Sequence, residues 1–392
     1  MDGQATTGVL RYFEDLPDPR GNNVIHRLHD MIVLAVCAVI CGADGWVPVQ
    51  MFAQSKLAWF RTFLDLPGGV PSHDTFGRVF ARLDPDAFER CFTAWTRGVA
   101  ATSGGRLIAF DGKAIRRSFE HAWDKSGMAY MVGAYVRDNH LAVGQLAVAD
   151  KSNEITAIPR LLELLDVAGA VVSIDAAGCQ REIAARIVDA GADYVLAVKE
   201  NQPTRHDAAR RLMTEATLDH AKGGGPDRCD GAGGRVRYDF CQTVDGDHGR
   251  VETRRVLVSD EVEALGPDVA AAWKGLACVV QVESLREVLG KPMPEVERRL
   301  FISSIRGRDA ARMADLVRGH WSVENNLHWQ LDVSFREDER RIRRDHGPEN
   351  YSRLCRLALN LLKRDKSVKA GIHTKRLKAG WDEHYLLRLL TS

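Results

Sequence analysis

A chain of 392 residues exceeds the roughly 250–300 at which single cores stop growing, so two or three packed units are expected. Its 45% hydrophobic and 27% charged residues exclude wholesale disorder and fibrous repeats, and a formal net charge of +1 points to no partner until the charge is located. Eight cysteines without a CxxC pair predict small buried thiols in a reducing compartment, with neither a disulfide framework nor a zinc site.

The longest apolar stretch, Met31 to Cys41, is about half the roughly 20 residues needed to span a bilayer. It also begins too far in for a signal peptide, which predicts a cytoplasmic protein with no membrane partner. Residues 1–100 read as a helical domain. One helical run goes from His26 to Cys41 and ends at Gly42, and a second goes from Val47 to Leu66, stopped by Pro67-Gly68-Gly69. Ser72 offers an N-cap for a run through Leu83. Asp84-Pro85-Asp86 opens another, with Phe88, Phe92 and Trp95 near helical spacing.

After Gly104-Gly105 the pattern turns to strands at Arg106–Phe110, Ala129–Val136 and Leu141–Val148, with turn residues Asp138-Asn139 between the last two. A helix at Glu154–Leu165, a strand at Ala170–Ile174, a helix at Gln180–Ala190 and a strand at Tyr194–Val198 follow. The order βββαβαβ predicts a mixed sheet in an α/β core. A β-rich insertion is expected at about 202–300, with a glycine-rich surface loop from Lys222 to Arg235 and strands at Val236–Phe240, Val251–Val258 and Ala277–Val282. Leu300–Ile305 then leads into a helix capped by Asp309, and residues 101–392 form the second domain.

Asp111 and Asp175 each directly follow a buried strand run, where ligands of such sheets usually bind. An acidic residue there is costly unless it is used or capped. Either residue alone also suits a turn or a helix cap.

The segments Ile108-Ala-Phe-Asp111-Gly-Lys113-Ala-Ile-Arg116, Val172-Ser-Ile-Asp175-Ala-Ala-Gly-Cys-Gln180 and His320-Trp-Ser-Val-Glu324-Asn-Asn-Leu-His328-Trp-Gln-Leu-Asp332 resemble the DDE transposases of bacterial insertion sequences, in particular the H-repeat-associated group. Trp46 and Pro71-Ser-His-Asp-Thr-Phe-Gly-Arg-Val-Phe80 resemble that group's amino-terminal associated domain, and His248-Gly-Arg-Val-Glu-Thr-Arg254 resembles its insertion motif. The resemblance implies an RNase H-like fold, a metal-binding triad of Asp111, Asp175 and Glu324, and DNA cleavage and strand transfer. Mg²⁺ is the implied cofactor, and Mn²⁺ is able to substitute. Asp332, Glu337 and Asp338 compete with Glu324 for the third position. In the related signature of tyrosine, arginine, glutamate and lysine, this chain has Val317, His320, Glu324 and Leu331, so only the glutamate carries over. His320 stays a DNA-binding candidate by position.

A DNA-binding chain needs concentrated positive charge. From Arg336 to Lys378 there are 14 Lys or Arg against 6 Asp or Glu. Leu354, Leu357, Ala358, Leu361 and Leu362 make one helical face there, and Arg353, Arg356, Lys363 and Arg364 are expected to project elsewhere. Lys113, Arg116 and Arg117 are candidates to clamp a phosphate beside the metals, and Lys199 and Asn201 are candidates of the same kind. Arg250, Glu252 and Arg254 alternate with His248 along a strand, as an ion-pair ladder or as a DNA-facing surface. His328 shares a helix face with Glu324, either near the metals or as a buried histidine packed by Trp321 and Trp329. The helix beginning near Ser72, in a unit carrying Lys56, Arg61, Arg78 and Arg82, is a candidate groove-entering element. The expected partner is DNA, bound by a dimer or higher oligomer in the bacterial cytoplasm. A DNA-binding inactive relative and a nuclease or resolvase without strand transfer are the competing readings.

Overall fold

A computed structural model of the chain describes residues 8–21, 24–99, 106–119, 128–148, 154–199, 203–222, 236–247, 250–288 and 294–391. In chain order the elements are α1 Leu28–Ile40, α2 Trp46–Ser55, α3 Leu57–Phe60, α4 His73–Arg82, α5 Pro85–Val99, β1 Leu107–Ala114, β2 Tyr130–Val136, β3 Leu141–Val148, α6 Glu154–Leu164, β4 Val171–Ile174, α7 Arg181–Asp189 and β5 Asp193–Val198. Then come α8 Pro203–Ala221, β6 Asp239–Asp247, β7 Arg250–Ser259, α9 Pro267–Ala271, β8 Cys278–Val288, β9 Glu295–Ser303, α10 Ala310–His320, α11 Trp329–Val333, α12 Gly347–Arg364, α13 Ile372–Trp381 and α14 Glu383–Thr391. Packing gathers Met1–Ala101, Asp111–Asp166 and Ser322–Ser392 into one compact unit and Thr102–Phe110 with Val167–Trp321 into another.

In the first unit the Ser72 hydroxyl accepts from the Thr75 amide at 3.2 Å and caps α4. Phe88, Phe92 and Trp95 bury one face of α5, as their spacing predicts. β2 and β3 form an antiparallel hairpin from Tyr130↔Val148 to Val136↔Leu141, and β2 lies beside β1. The centre of this unit is α12, every residue of which from Gly347 to Leu362 is buried, packed by α1, α4, α5 and β3.

That burial corrects one expectation. Arg353 and Arg356 do not project to the surface; each is about 1% exposed. With no wet face left on α12, their charge is met by carboxylates instead: Arg353 Nε lies 2.7 Å from Glu89 Oε2, and Arg356 Nη1 lies 3.2 Å from Glu337 Oε1.

In the second unit Leu107–Phe110 of β1 runs parallel to β4 with Phe110↔Ile174 in register, and β4 runs parallel to β5. The segment expected as a β-rich insertion opens with α8. It then supplies the meander β6-β7-β8-β9, whose last strand pairs antiparallel with β5 through Val195↔Ser303. These strands outrun the apolar stretches that announced them, because their far halves are charged ladders: Glu283 on β8 takes Arg255 of β7 at 3.2 Å and Arg298 of β9 at 2.6 Å. The Asp309 carboxylate caps α10 through the Arg312 amide at 2.8 Å. α10 then covers Val256, Val258 and Val280 with Met313 and Leu316. The mixed parallel and antiparallel pairing with flanking helices is an RNase H-like α/β fold.

Candidate metal site

β1 delivers Asp111. Leu107 to Phe110 are buried, and the chain turns polar at the next residue, leaving the Asp111 carboxylate half-buried. The Gly112 amide donates to its Oδ1 at 2.9 Å. A Cβ at Gly112 would collide with the Tyr130 hydroxyl and the Glu154 carboxylate, which bond one another at 2.5 Å, so only glycine fits beside Asp111.

Glu324 and His328 come from a single π-helical turn, Glu324–His328, a conformation that recurs at functional sites. Val323 and Leu327 anchor the turn in the core. Lys363 of α12 fastens it from outside, donating to the Asn326 carbonyl at 2.7 Å and to the His140 carbonyl at 3.0 Å. Burial pushes the Lys363 ammonium down to about 7, helped by the neighbouring charge of Lys366.

His328 Nδ1 lies 3.5 Å from Asp111 Oδ2 and 3.5 Å from Glu324 Oε2. One ligand atom from each of the three residues falls within 4.8 Å of the others. His328 is buried and Glu324 exposed, so the cluster has a closed floor and an open mouth. Two carboxylates and an imidazole form a mainly hard donor set that fits a divalent cation such as Mg²⁺ or Mn²⁺.

The competing carboxylates are engaged elsewhere. Lys113 Nζ, itself buried, lies 2.6 Å from Asp332, 3.2 Å from Asp338 and 3.9 Å from Glu337. Burial raises the Asp332 carboxyl above its ordinary range against the pull of Lys113. Burial also presses Glu337 upward, but Arg356, Lys113 and Arg340 outweigh it, and that carboxyl sits below its usual value. Sequence reading treated Lys113 as a phosphate clamp; its contacts here are with these acids.

Asp175, in the second unit, follows β4 and accepts from the Ala177 amide at 3.0 Å, capping a short turn. On the same strand the Ser173 hydroxyl lies 2.9 Å from His320 Nδ1 at the end of α10.

The sequence profile described as Transposase DDE domain matches residues 102–361, and that of its DDE_Tnp_1-associated domain matches residues 10–96. The chain belongs to the DDE transposase family. It is 38% identical over 386 residues to "Putative transposase YncI" of Escherichia coli O157:H7, covering 98% of this chain and 94% of that one. It is 35% identical over 388 residues to "H repeat-associated putative transposase YhhI" of Escherichia coli strain K12, covering 97% of each. A solved piggyBac transposase synaptic complex with hairpin DNA aligns at 9% identity and a TM-score of 0.39, over 97% of this chain and 77% of that one, a likeness too slight to carry an argument.

The other basic candidates of this DDE transposase are differently placed. Arg116 is exposed and lies 3.2 Å from Asp338. Arg117 and Lys199 are exposed as well. Arg250 and Arg254 lie 3.1 and 2.8 Å from Glu252, and Arg254 also reaches Asp245 at 3.0 Å. Asn201 and His248 lie outside the described residues. No helix among the described residues is long and apolar enough to cross a membrane.

Proposed function

We propose that this transposase cuts DNA and joins the freed end to target DNA, with Asp111, Asp175 and Glu324 as its metal-binding carboxylates. The observation that carries the reading is the convergence of Asp111, Glu324 and His328 to within 4.8 Å, directly after the buried run Leu107–Phe110 of β1. Asp175 enters by register: it follows Ile174, the partner of Phe110, and Asp111 directly follows Phe110 within β1.

Water attacks a phosphodiester at the element end, breaking the P–O3′ bond and releasing a 3′-hydroxyl. That hydroxyl then attacks a target phosphodiester in line, and a target 3′-hydroxyl leaves. Divalent cations, Mg²⁺ or Mn²⁺, supply Lewis-acid stabilisation of charge on the attacking and leaving oxygens. The chain's part is positioning. His328 holds Asp111 and Glu324 at a fixed spacing, Lys113 keeps Asp332 and Asp338 turned to itself, and the exposed Arg116, Arg117 and Lys199 offer charge to flanking phosphates. Handling two element ends together calls for a dimer or higher oligomer on DNA, working in the bacterial cytoplasm.

The test is metal-dependent cleavage and joining of a DNA end by the wild type beside Asp111→Asn, Asp175→Asn and Glu324→Gln. Each variant is expected to lose at least about 100-fold in rate, some 2.7 kcal/mol of transition-state stabilisation. Full activity in any one removes that residue from the site, and cutting without joining reduces the activity to that of a nuclease.

A further inference from the structure

A cavity of about 710 Å³ opens in the first unit between the start of α2, the outer face of α4 and the segment Arg341–Arg344. Its lining carries Arg78, Arg341, Arg343 and Arg344 against Asp44 and Asp74. Asp44 pairs with Arg336 at 3.3 Å, and Asp74 lies 3.6 Å from His73. Arg78, Arg341 and Arg344 are exposed, and among the described residues Arg78 makes only a 3.4 Å bond to the Thr75 hydroxyl. The cavity therefore presents three guanidinium groups without an acid partner among the described residues.

The arginine segment is held stiffly. Non-glycine residues in the left-handed region bracket it, Arg336 at φ 54° and Asp345 at φ 44°, a conformation that costs on the order of 1 kcal/mol per residue and persists only where the surroundings impose it. Arg340 points inward over the Tyr351 ring at 4.6 Å and donates to the Phe335 carbonyl. Arg343 lies over the Phe119 ring at 5.0 Å and donates to the Arg117 carbonyl at 3.1 Å. The inward arginines act as pegs that fix the outward pair, Arg341 and Arg344, in place.

The Arg117 anchor sets a distance to the carboxylate cluster. Five residues lie between Asp111 and Arg117, so even with the chain fully extended the two are no more than about 22 Å apart. One DNA strand presents a phosphate about every 3.4 Å of helix axis, so a duplex offers a regular series of phosphates beyond the reacting one. Guanidinium groups on an anchored segment, without an acid partner among the described residues, suit a regularly spaced polyanion, with Arg forks matched to phosphate oxygens.

We propose that the cavity lined by Arg78, Arg341 and Arg344 is a clamp for the sugar-phosphate backbone of DNA flanking the reacting phosphodiester. The inference rests on the DNA-cutting reading above and adds to it a second contact surface, outside the carboxylate cluster.

The experiment measures affinity for a fluorescent duplex of arbitrary sequence by anisotropy, over a range of salt concentrations and in EDTA so that no cutting intervenes. For Arg78→Ala/Arg341→Ala/Arg344→Ala the slope of log affinity against log salt is expected to fall by about 2.7, at roughly 0.9 per lost phosphate contact. Between about 50 and 200 mM salt the wild type then loses about 40-fold more affinity than the variant. The triple lysine variant keeps the slope, because a point charge suffices. A control that removes equal charge elsewhere, at exposed residues outside these candidates, Arg90→Ala/Arg211→Ala/Arg306→Ala, keeps it too. An unchanged slope in the triple alanine variant, or an equal drop in the control, overturns the clamp while leaving the cutting reading intact. Failure of the wild type to bind any duplex overturns the cutting reading itself, and the clamp with it.

Discussion

Arg353 Nε meets Glu89 Oε2 at 2.7 Å with both side chains fully buried, tying α12 to α5. The same carboxylate accepts the Gln145 backbone amide of β3 at 2.7 Å, so one acid joins three elements. Arg353→Met leaves Glu89 charged and unpaired in the core and is expected to cost about 3–5 kcal/mol, read as a fall in the urea midpoint. Glu89→Leu/Arg353→Met removes both charges and recovers most of that loss. A double variant as unstable as the single would show that packing, not charge, sets the cost.

Metal binding separates Glu324 from Asp332. Titration with Mn²⁺, followed by electron paramagnetic resonance, is expected to show at least about tenfold weaker binding in Asp111→Asn and Glu324→Gln. Asp332→Asn stays within about twofold of the wild type, since that carboxylate faces Lys113 at 2.6 Å. Should Asp332→Asn lose as much as Glu324→Gln, the third carboxylate is Asp332.

Glu337 links stability to acid pH. Its carboxyl is pressed up by burial but held below its ordinary 4.5 by Arg356, Lys113 and Arg340. A depressed carboxylate stabilises the fold above its unfolded value and loses that contribution as pH falls through the folded one. The gap in unfolding free energy between the wild type and Glu337→Gln is therefore expected to be constant at neutral pH and to close below about pH 4.5. A gap that persists in acid would assign the loss to packing.

Lys363 gives a slope of the same sign at alkaline pH. Burial holds its ammonium at about 7 against an ordinary 10.5, so across that interval the unfolded chain binds the extra proton and the fold gains as pH rises. Melts of the wild type and Lys363→Met are expected to diverge in favour of the wild type between those two values, by roughly 1 kcal/mol per pH unit. Below about pH 7 the difference is flat. A difference independent of pH throughout would remove Lys363 from the titrating groups.

Much of the core was legible because the cues were local. The Ser72 and Asp309 caps, the turn at Asp138-Asn139 and the apolar run before Asp175 all depend on neighbours a few residues away. α8 was missed because Ala208, Ala209, Leu212, Met213 and Ala216 form its buried stripe, and small alanines blur helical spacing. Arg353 and Arg356 were misplaced for a different reason. Periodicity reads charge as surface, and nothing near them in the chain announces that Glu89 and Glu337 wait in the interior. The π-turn at Glu324 was likewise invisible, since an i→i+5 bond leaves no residue-type signature.

The central place of α12 also bears on how the protein is made. α1 has almost no uncovered side, with Met31 to Ile40 all at 0% exposure, and part of its cover is α12, synthesised more than 300 residues later. During translation the amino-terminal helices emerge without their central partner and wait, with apolar flanks bare, until the end of the chain leaves the ribosome. A gene copy shortened at its 3′ end would therefore yield an aggregating polypeptide rather than a folded competitor of the intact enzyme. Decay by truncation would then silence such an element without producing an inhibitor of its sister copies.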